Sequence, residues 1–203
     1  MADALYNTHV KLLASDFLAL TPKPTDPSPS FSINGKTLSR AETVGYVVTR
    51  ELKPDKFLRF AVDDGTGCIP CVLWLNQLTS SYFSRRSPAG VRSIARMASK
   101  FAAQVQVGAV ARVRGRITGF KGFVQITVSD VVVEVDPNAQ VLHWLDCVRL
   151  ARKCYGKGCV KEVSGIKLMK FLGERFHNAG VVDLVLFYFT SSGLNEFKLS
   201  GFI

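Results

Sequence analysis

Hydrophobic and polar positions alternate most clearly between Lys56 and Gln77, KFLRFAVDDGTGCIPCVLWLNQ. Before the Gly-rich centre, Leu58, Phe60 and Val62 alternate with Phe57, Arg59, Ala61 and Asp63. After it, Ile69, Cys71 and Leu73 alternate with Cys68, Pro70, Val72 and Trp74. Period two on both sides of Asp63-Asp64-Gly65-Thr66-Gly67 predicts a β-hairpin, because a strand places successive side chains on opposite faces. Upstream, Thr43, Gly45, Val47 and Thr49 alternate with Val44, Tyr46 and Val48 in a preceding strand. Gly45 in its middle predicts a bend or a close backbone approach.

Beyond Trp74 the period changes. Val91, Ile94, Ala95, Ala98, Phe101, Ala102 and Val105 recur at three- and four-residue spacing, predicting an amphipathic helix with Arg92, Arg96 and Lys100 toward its wet side. In the next strand Ala111, Val113, Gly115 and Ile117 alternate with Arg112, Arg114, Arg116 and Thr118. Gly119-Phe120-Lys121-Gly122 is a tight turn, and Phe123 to Val135 forms the last strand. Asp136-Pro137-Asn138 breaks that strand and opens a helix through Tyr155. The predicted fold class is mainly β. Three strands, a helix and two strands make the plan of a five-stranded OB-fold barrel, with a helix between strands three and four and a C-terminal interaction helix.

The expected domains are 1–36, an N-terminal extension with a Pro-rich linker; 37–136, the barrel; 137–155, a partner-binding helix; and 156–203, a divergent, poorly ordered tail. Residues 1–21 read as a short strand and a helical turn lying against the barrel, and the proline-dense stretch from Thr21 to Ser30 as a linker or wrapping loop. The opening residues lack the continuous apolar region of a secretory signal, and no stretch approaches membrane-spanning length. The odd number of cysteines, five, then points to a reducing compartment, cytosol or nucleus.

Charge narrows the partner class. The chain carries a formal net charge of +10, and from Gly65 to Ser129 it has no Asp or Glu but nine Lys or Arg residues. Such a single-sign field attracts a phosphate backbone. Single-strand binding also needs flat rings for bases. Trp74 near the end of strand three and Phe120 on the four–five turn border one groove in an OB barrel, with Arg116 and Lys121 beside Phe120 and Arg59 on the outward face of strand two. The expected DNA-binding set is Trp74, Phe120, Arg116, Lys121, Arg59 and Arg114. Arg112, Arg114 and Arg116 could form a phosphate track or pair with acids such as Glu134 and Asp136. The bland alternatives are Trp74 closing the barrel bottom and Phe120 packing on Phe123.

No catalytic constellation stands out. Asp63 and Asp64 suit turn chemistry better than a metal pair, since no third ligand has useful spacing. Cys68 and Cys71 point to opposite faces of a strand, and His9, His143 and His177 have no nucleophile beside them. Gly156-Lys157-Gly158 lacks the rest of a phosphate loop. No enzyme, metal or cofactor is expected. In the C-terminal helix Val141, Leu142, Trp144, Leu145, Val148 and Ala151 cover more than one stripe, which suits either a partner helix or packing on the N-terminal segment.

Three segments carry a family resemblance: FSINGKTLSRAETVGYVVTRELKPDKFLRFAVDDGTGCIPCVLWLNQ, GAVARVRGRITGF and DPNAQVLHWLDCVRLARKCY. Together they resemble the small OB-fold subunit (Stn-type) of the CST telomere-capping complex in its short plant-type form. That subunit is itself similar to the middle subunit of replication protein A. The resemblance spans about residues 5 to 155. It implies a nuclear, chromosome-end protein that binds single-stranded telomeric DNA within a heterotrimer with the large and smallest CST subunits. It also implies protection of chromosome ends and support of C-strand fill-in by DNA polymerase alpha–primase. The family's DNA-facing aromatics match Trp74 and Phe120, and its contact with the smallest subunit matches Leu142, Leu145 and Val148. Thr118 stands where some relatives carry a basic residue, and the tail, with its β-prone Val181–Phe189 run, matches neither short nor long forms. A general replication-protein-A-like subunit, an assembly module that never touches DNA, and an RNA binder are the rival readings.

Overall fold

In the computed structural model of this chain, residues 5–23 and 30–155 are described. Five strands carry the barrel: β5 (Arg40–Lys53), β6 (Phe57–Asp63), β7 (Cys68–Trp74), β8 (Val110–Phe120) and β9 (Phe123–Val133). Around them lie β1 (His9–Lys11), α1 (Ala14–Leu18), β2 (Thr21–Lys23), β3 (Ser30–Ile33), β4 (Lys36–Leu38), α2 (Pro88–Gln104) and α3 (Ala139–Leu150). The strand order β5-β6-β7-β9-β8 closes on itself through a second pairing between β5 and β8, and β1 adds to the edge of β5. This is the predicted five-stranded OB barrel.

β5 makes closure possible. It pairs with β8 from Arg40 to Tyr46 and with β6 from Tyr46 to Lys53, so it must turn a corner near its middle. A bulge between Val47 and Thr49 supplies part of the bend. Gly45 supplies the rest: a Cβ there would lie 2.4 Å from the Asp63 carbonyl oxygen. The close approach expected of Gly45 is a contact with the start of the β6–β7 turn.

The alternation decides what the barrel encloses. Leu58, Val62, Ile69, Ala111, Val113, Ile117 and Ile126 are fully buried, and burying each large aliphatic side chain contributes roughly 1.5–3 kcal/mol. α2, which follows β7 in the chain, packs against β7 and β9 and buries Val91, Ala98 and Ala102. Ser87 caps its N-terminus, and Arg50 donates to the carbonyls of Val105 and Ala102 at its C-terminal end, where a cation complements the helix dipole.

Of the Thr21–Ser30 stretch expected to be a linker or wrapping loop, residues 24–29 lie outside the described residues, and strands flank them. β2, β3 and β4 form a separate antiparallel sheet in which Pro22 sits on an edge strand, a place where a missing N–H costs nothing. Asn34 and Gly35, both at positive φ, make the β3–β4 hairpin turn, a signal present in the sequence as Asn-Gly. Phe31, Ile33 and Leu38 join the main core, so the segment before β5 is part of that core. The proposed tail, its Val181–Phe189 run and Cys159 lie outside the described residues.

The β6–β7 turn is the junction of the described chain. Asp63 accepts from the Gly65 amide, as a hairpin turn requires. Asp64 reaches further. Its carboxylate accepts from the Thr66 amide and hydroxyl on one oxygen and from the Ala14 amide on the other. The Thr66 hydroxyl in turn accepts from the Ser15 amide. Two orphan N–H groups at the start of α1 are thus satisfied by side chains some fifty residues downstream. The Asp64 carbonyl accepts from Trp144 Nε1 at 2.9 Å and from Gln140, both on α3. α3 is further tied by the Lys11–Asp146 ion pair and by Tyr155, which donates to the Lys11 carbonyl.

Two expectations about stability follow. Burial raises the fully inaccessible Asp64 carboxyl above its ordinary range, yet three donors depend on it: the buried Ala14 amide and the part-buried Thr66 amide and hydroxyl. Asp64→Ala should therefore lower unfolding free energy by about 2–3 kcal/mol, the cost of stranding one buried and two part-buried donors; urea denaturation within 0.5 kcal/mol of wild type, a surface-mutation-sized change, would contradict this role. His143, buried on α3 with Cys147 Sγ 3.3 Å from its Nε2, is pushed by burial from 6.5 down to about 4. Its neutral form is what the fold accepts, so its contribution is intact above pH ~6.5 and is lost as pH falls toward the folded value. Between pH 7.5 and 4.5, wild type should lose about 2–3 kcal/mol more than His143→Gln in matched urea titrations.

Candidate nucleic-acid interface

With Leu58, Phe60 and Val62 turned inward, Phe57 and Arg59 stand on the outer face of β6. Phe57 pairs across the strands with Trp74, and the two rings meet edge to face at 6.2 Å. Trp74 is 45% exposed, and so is Phe120. The Arg59 guanidinium lies 4.4 Å from the Phe57 ring centroid and 5.4 Å from that of Phe120. Lys53 approaches Phe57 at 5.3 Å, and Lys121 approaches Phe120 at 5.5 Å. One continuous surface of three rings and three cations results, running from the end of β7 across β6 to the β8–β9 turn.

The turn places Phe120 where it is. Lys121 and Gly122 both have positive φ, the backbone of a two-residue hairpin turn, and Phe120 pairs with Phe123 directly before it. Arg116, Thr118 and Phe120 share the outward face of β8 by period two. Cross-strand register carries Arg59 to Val72, Val72 to Thr127 and Thr127 to Arg116. Arg116 is therefore in the same row as Arg59, three strand spacings or about 14 Å away. It is exposed, and no carboxylate pairs with it among the described residues.

The other two arginines of β8 have a different job. Glu42 on β5 is almost fully buried, with Arg112 Nη1 3.3 Å from one oxygen and Arg114 Nε 2.5 Å from the other. Arg112 also holds Glu134 at 2.5 Å, and Arg114 approaches Asp130 at 3.8 Å. Burial alone would lower Arg112, but Glu134 and Glu42 together raise it, so its charge is fixed in place. Of the acids expected to pair, Glu134 does so. Asp136 instead accepts from the Asn138 amide and side chain at the start of α3. Arg114 is withdrawn from the ring-lined surface into this clamp.

The sequence-derived set thus divides. Trp74, Arg59, Phe120 and Lys121 converge, Arg116 extends their row, and Arg114 stands apart. Phe57 and Lys53 belong to the surface and were not among the expected residues. The alternation had already put Phe57 beside Arg59 on the outer face, which was the available signal. On α3, Leu142 is 41% exposed and Val148 is half-buried, whereas Leu145 is 6% exposed and packs within the chain itself. Cys68 is exposed and Cys71 buried, on opposite faces as expected for that spacing. Among the described residues no group of three or more His, Cys, Asp or Glu side chains could hold a metal ion, and no helix is long and apolar enough to cross a membrane.

No protein-family model matches the chain. It is 53% identical over 155 residues to CST complex subunit STN1 of Arabidopsis thaliana, covering 76% of this chain and 96% of that protein. It spans less than half of the mammalian proteins of the same name that it matches, 43% of that of Ailuropoda melanoleuca. Among solved structures, the Schizosaccharomyces pombe Stn1–Ten1 complex is similar at a TM-score of 0.57 and 17% identity, covering 73% of this chain and 95% of that one. A replication protein A heterotrimer bound to single-stranded DNA is similar at 0.52 and 20% identity, covering 70% and 94%. At these identities the structural likeness establishes the OB fold, and the sequence match to the Arabidopsis protein establishes kinship: this chain belongs to the STN1 family of CST complex subunits.

Proposed function

We propose that this chain is the single-strand-binding OB subunit of a CST complex, acting at telomeres in the nucleus. The observation that carries the reading is the convergence of Trp74, Phe57, Phe120 and Arg59 on one outer face. Rings offer bases a sequence-tolerant stacking platform, and a guanidinium held between two rings is already ordered before a phosphate or base arrives. Arg116 and Lys121 extend the positive surface on either side of Phe120, where a backbone would track. The solved relative named with single-stranded DNA has the same fold, and the relative solved with Ten1 supports a small-subunit partner. Leu142, the exposed large apolar residue of α3, is the proposed contact for that partner, with half-buried Val148 about a turn and a half further along. Leu145 contributes by packing α3 onto the chain. Family membership further supports roles in chromosome-end protection and in fill-in synthesis with DNA polymerase alpha–primase.

The decisive test is fluorescence anisotropy of the CST complex on a single-stranded telomeric-repeat oligonucleotide. Replacing both Trp74 and Phe120 with alanine should weaken binding by about 2–4 kcal/mol, one to two stacking interactions; unchanged affinity would reduce the barrel to an assembly module. Preference for the telomeric repeat over mixed sequence separates this reading from a general replication subunit.

The two classes of arginine predict opposite phenotypes. Arg116→Ala should leave thermal stability near wild type and reduce the slope of log affinity against log salt by about 0.7, one phosphate contact on a single strand. Arg112→Ala should destabilise the protein by about 3 kcal/mol, because it leaves the buried Glu42 with one fewer cation. Equal stability losses in the two variants would count against this division of labour.

A further inference from the structure

Beside Trp74 the surface opens into a second concavity that the ring-lined face does not include. A cleft of about 610 Å³ lies between the segment after β7 and one side of α2. Trp74 forms part of its wall, with Tyr82 and Phe83 on the loop side and Ile94, Met97 and Phe101 on the helix side. Its size falls in the range of ligand-binding pockets. Tyr82 is 77% exposed and Met97 57% exposed, so these apolar groups face water rather than the core. Tyr82 and Phe83 meet edge to face at 5.0 Å, and the Arg86 guanidinium lies 5.8 Å from the Phe83 ring centroid.

Three observations identify the occupant. The cleft is continuous with the proposed DNA-binding face, since Trp74 belongs to both. Arg86 stands against the Phe83 ring in the cleft wall, and the chain from Gly65 to Ser129, which supplies every lining residue, has no Asp or Glu. A guanidinium set against an aromatic wall complements a nucleotide, which brings both a phosphate and a ring, better than it complements a neutral apolar peptide. Third, Gln77 lines the cleft at 6% exposure. Its amide nitrogen donates to the Trp74 carbonyl, leaving its Oε1 without a partner. A buried carbonyl acceptor with no donor is a standing deficit. Every nucleobase has at least one N–H on its pairing edge that can fill it.

We propose that the single strand does not end at Trp74 but continues into this cleft, where one or two further nucleotides are held by Tyr82, Phe83 and Gln77 beside Arg86. This rests on the proposed DNA-binding role of Trp74 and lengthens its footprint. The test uses the full chain in its complex, with fluorescent oligothymidylates of about 6 and about 12 nucleotides, within the site sizes OB folds accept. A Tyr82→Ala, Met97→Glu double variant, both positions exposed, should melt like wild type. It should lose about tenfold in affinity for the longer strand, the size of one stacking interaction, and less than twofold for the shorter one. Wild-type affinity of the double variant for the longer strand overturns the inference. Loss of a partner subunit on purification, with DNA affinity of the isolated chain unchanged, also overturns it and makes the cleft a protein-docking surface. Trp74→Ala, measured on the 6-mer in the same series, reports separately on the groove: if it changes nothing, the groove reading fails whatever the cleft does.

Discussion

Asp64 is the contact on which the rest of the described chain depends. It is a turn residue in a hairpin, yet its carboxylate closes the start of α1 and its carbonyl receives the indole of α3. Gly45 of β5 lies against the neighbouring Asp63 carbonyl, so the bend that closes the barrel meets the same turn. A carboxylate this buried is costly, and burial does raise its pKa. The cost is tolerated because the donors it satisfies would be equally costly unmet. N-terminal segment, barrel and C-terminal helix are joined there as one unit.

That union leaves the opposite side of the hairpin free. α1 and α3 are held at the turn end of β6 and β7, whereas Phe57 and Trp74 lie at the other end of the same two strands. The rings are therefore exposed because the packing elements are tethered elsewhere. Nearby, Glu42, Glu134 and Asp130 take up Arg112 and Arg114, while Arg59, Arg116 and Lys121 have no acid of their own among the described residues. Neutralising two arginines within the sheet and leaving others open concentrates the field on the ring-lined face. In the cleft beyond Trp74 a guanidinium again stands against a ring, that of Arg86 over Phe83.

Much of this was legible in the residues and some was not. Strand faces follow from the pleat, a property of the local backbone, so the inward set from Leu58 to Ile117 and the outward Arg59, Trp74 and Phe120 could be read directly. Asn34-Gly35, just after the stretch expected to be linker, was an equally local turn signal. The fate of Arg114 was not legible, since its partner Glu42 lies 72 positions away and meets it only when β8 closes on β5. Leu145 and Leu142 look alike in the helical pattern, and only the docking of α3 against β1 and β5 turns one inward and leaves the other wet.

The sequence by itself determined the element order, the side each strand residue takes, the aromatic and cationic residue types of the binding face, and kinship with a family. Those depend on short-range sterics and on composition. Tertiary structure alone decided which arginines stay available, that Phe57 joins Trp74 and Phe120, that Asp64 is a junction rather than a simple turn residue, and that a cleft opens beside Trp74. Each of these is a meeting between residues far apart in the chain, and such a meeting is set by barrel closure, not by any local pattern.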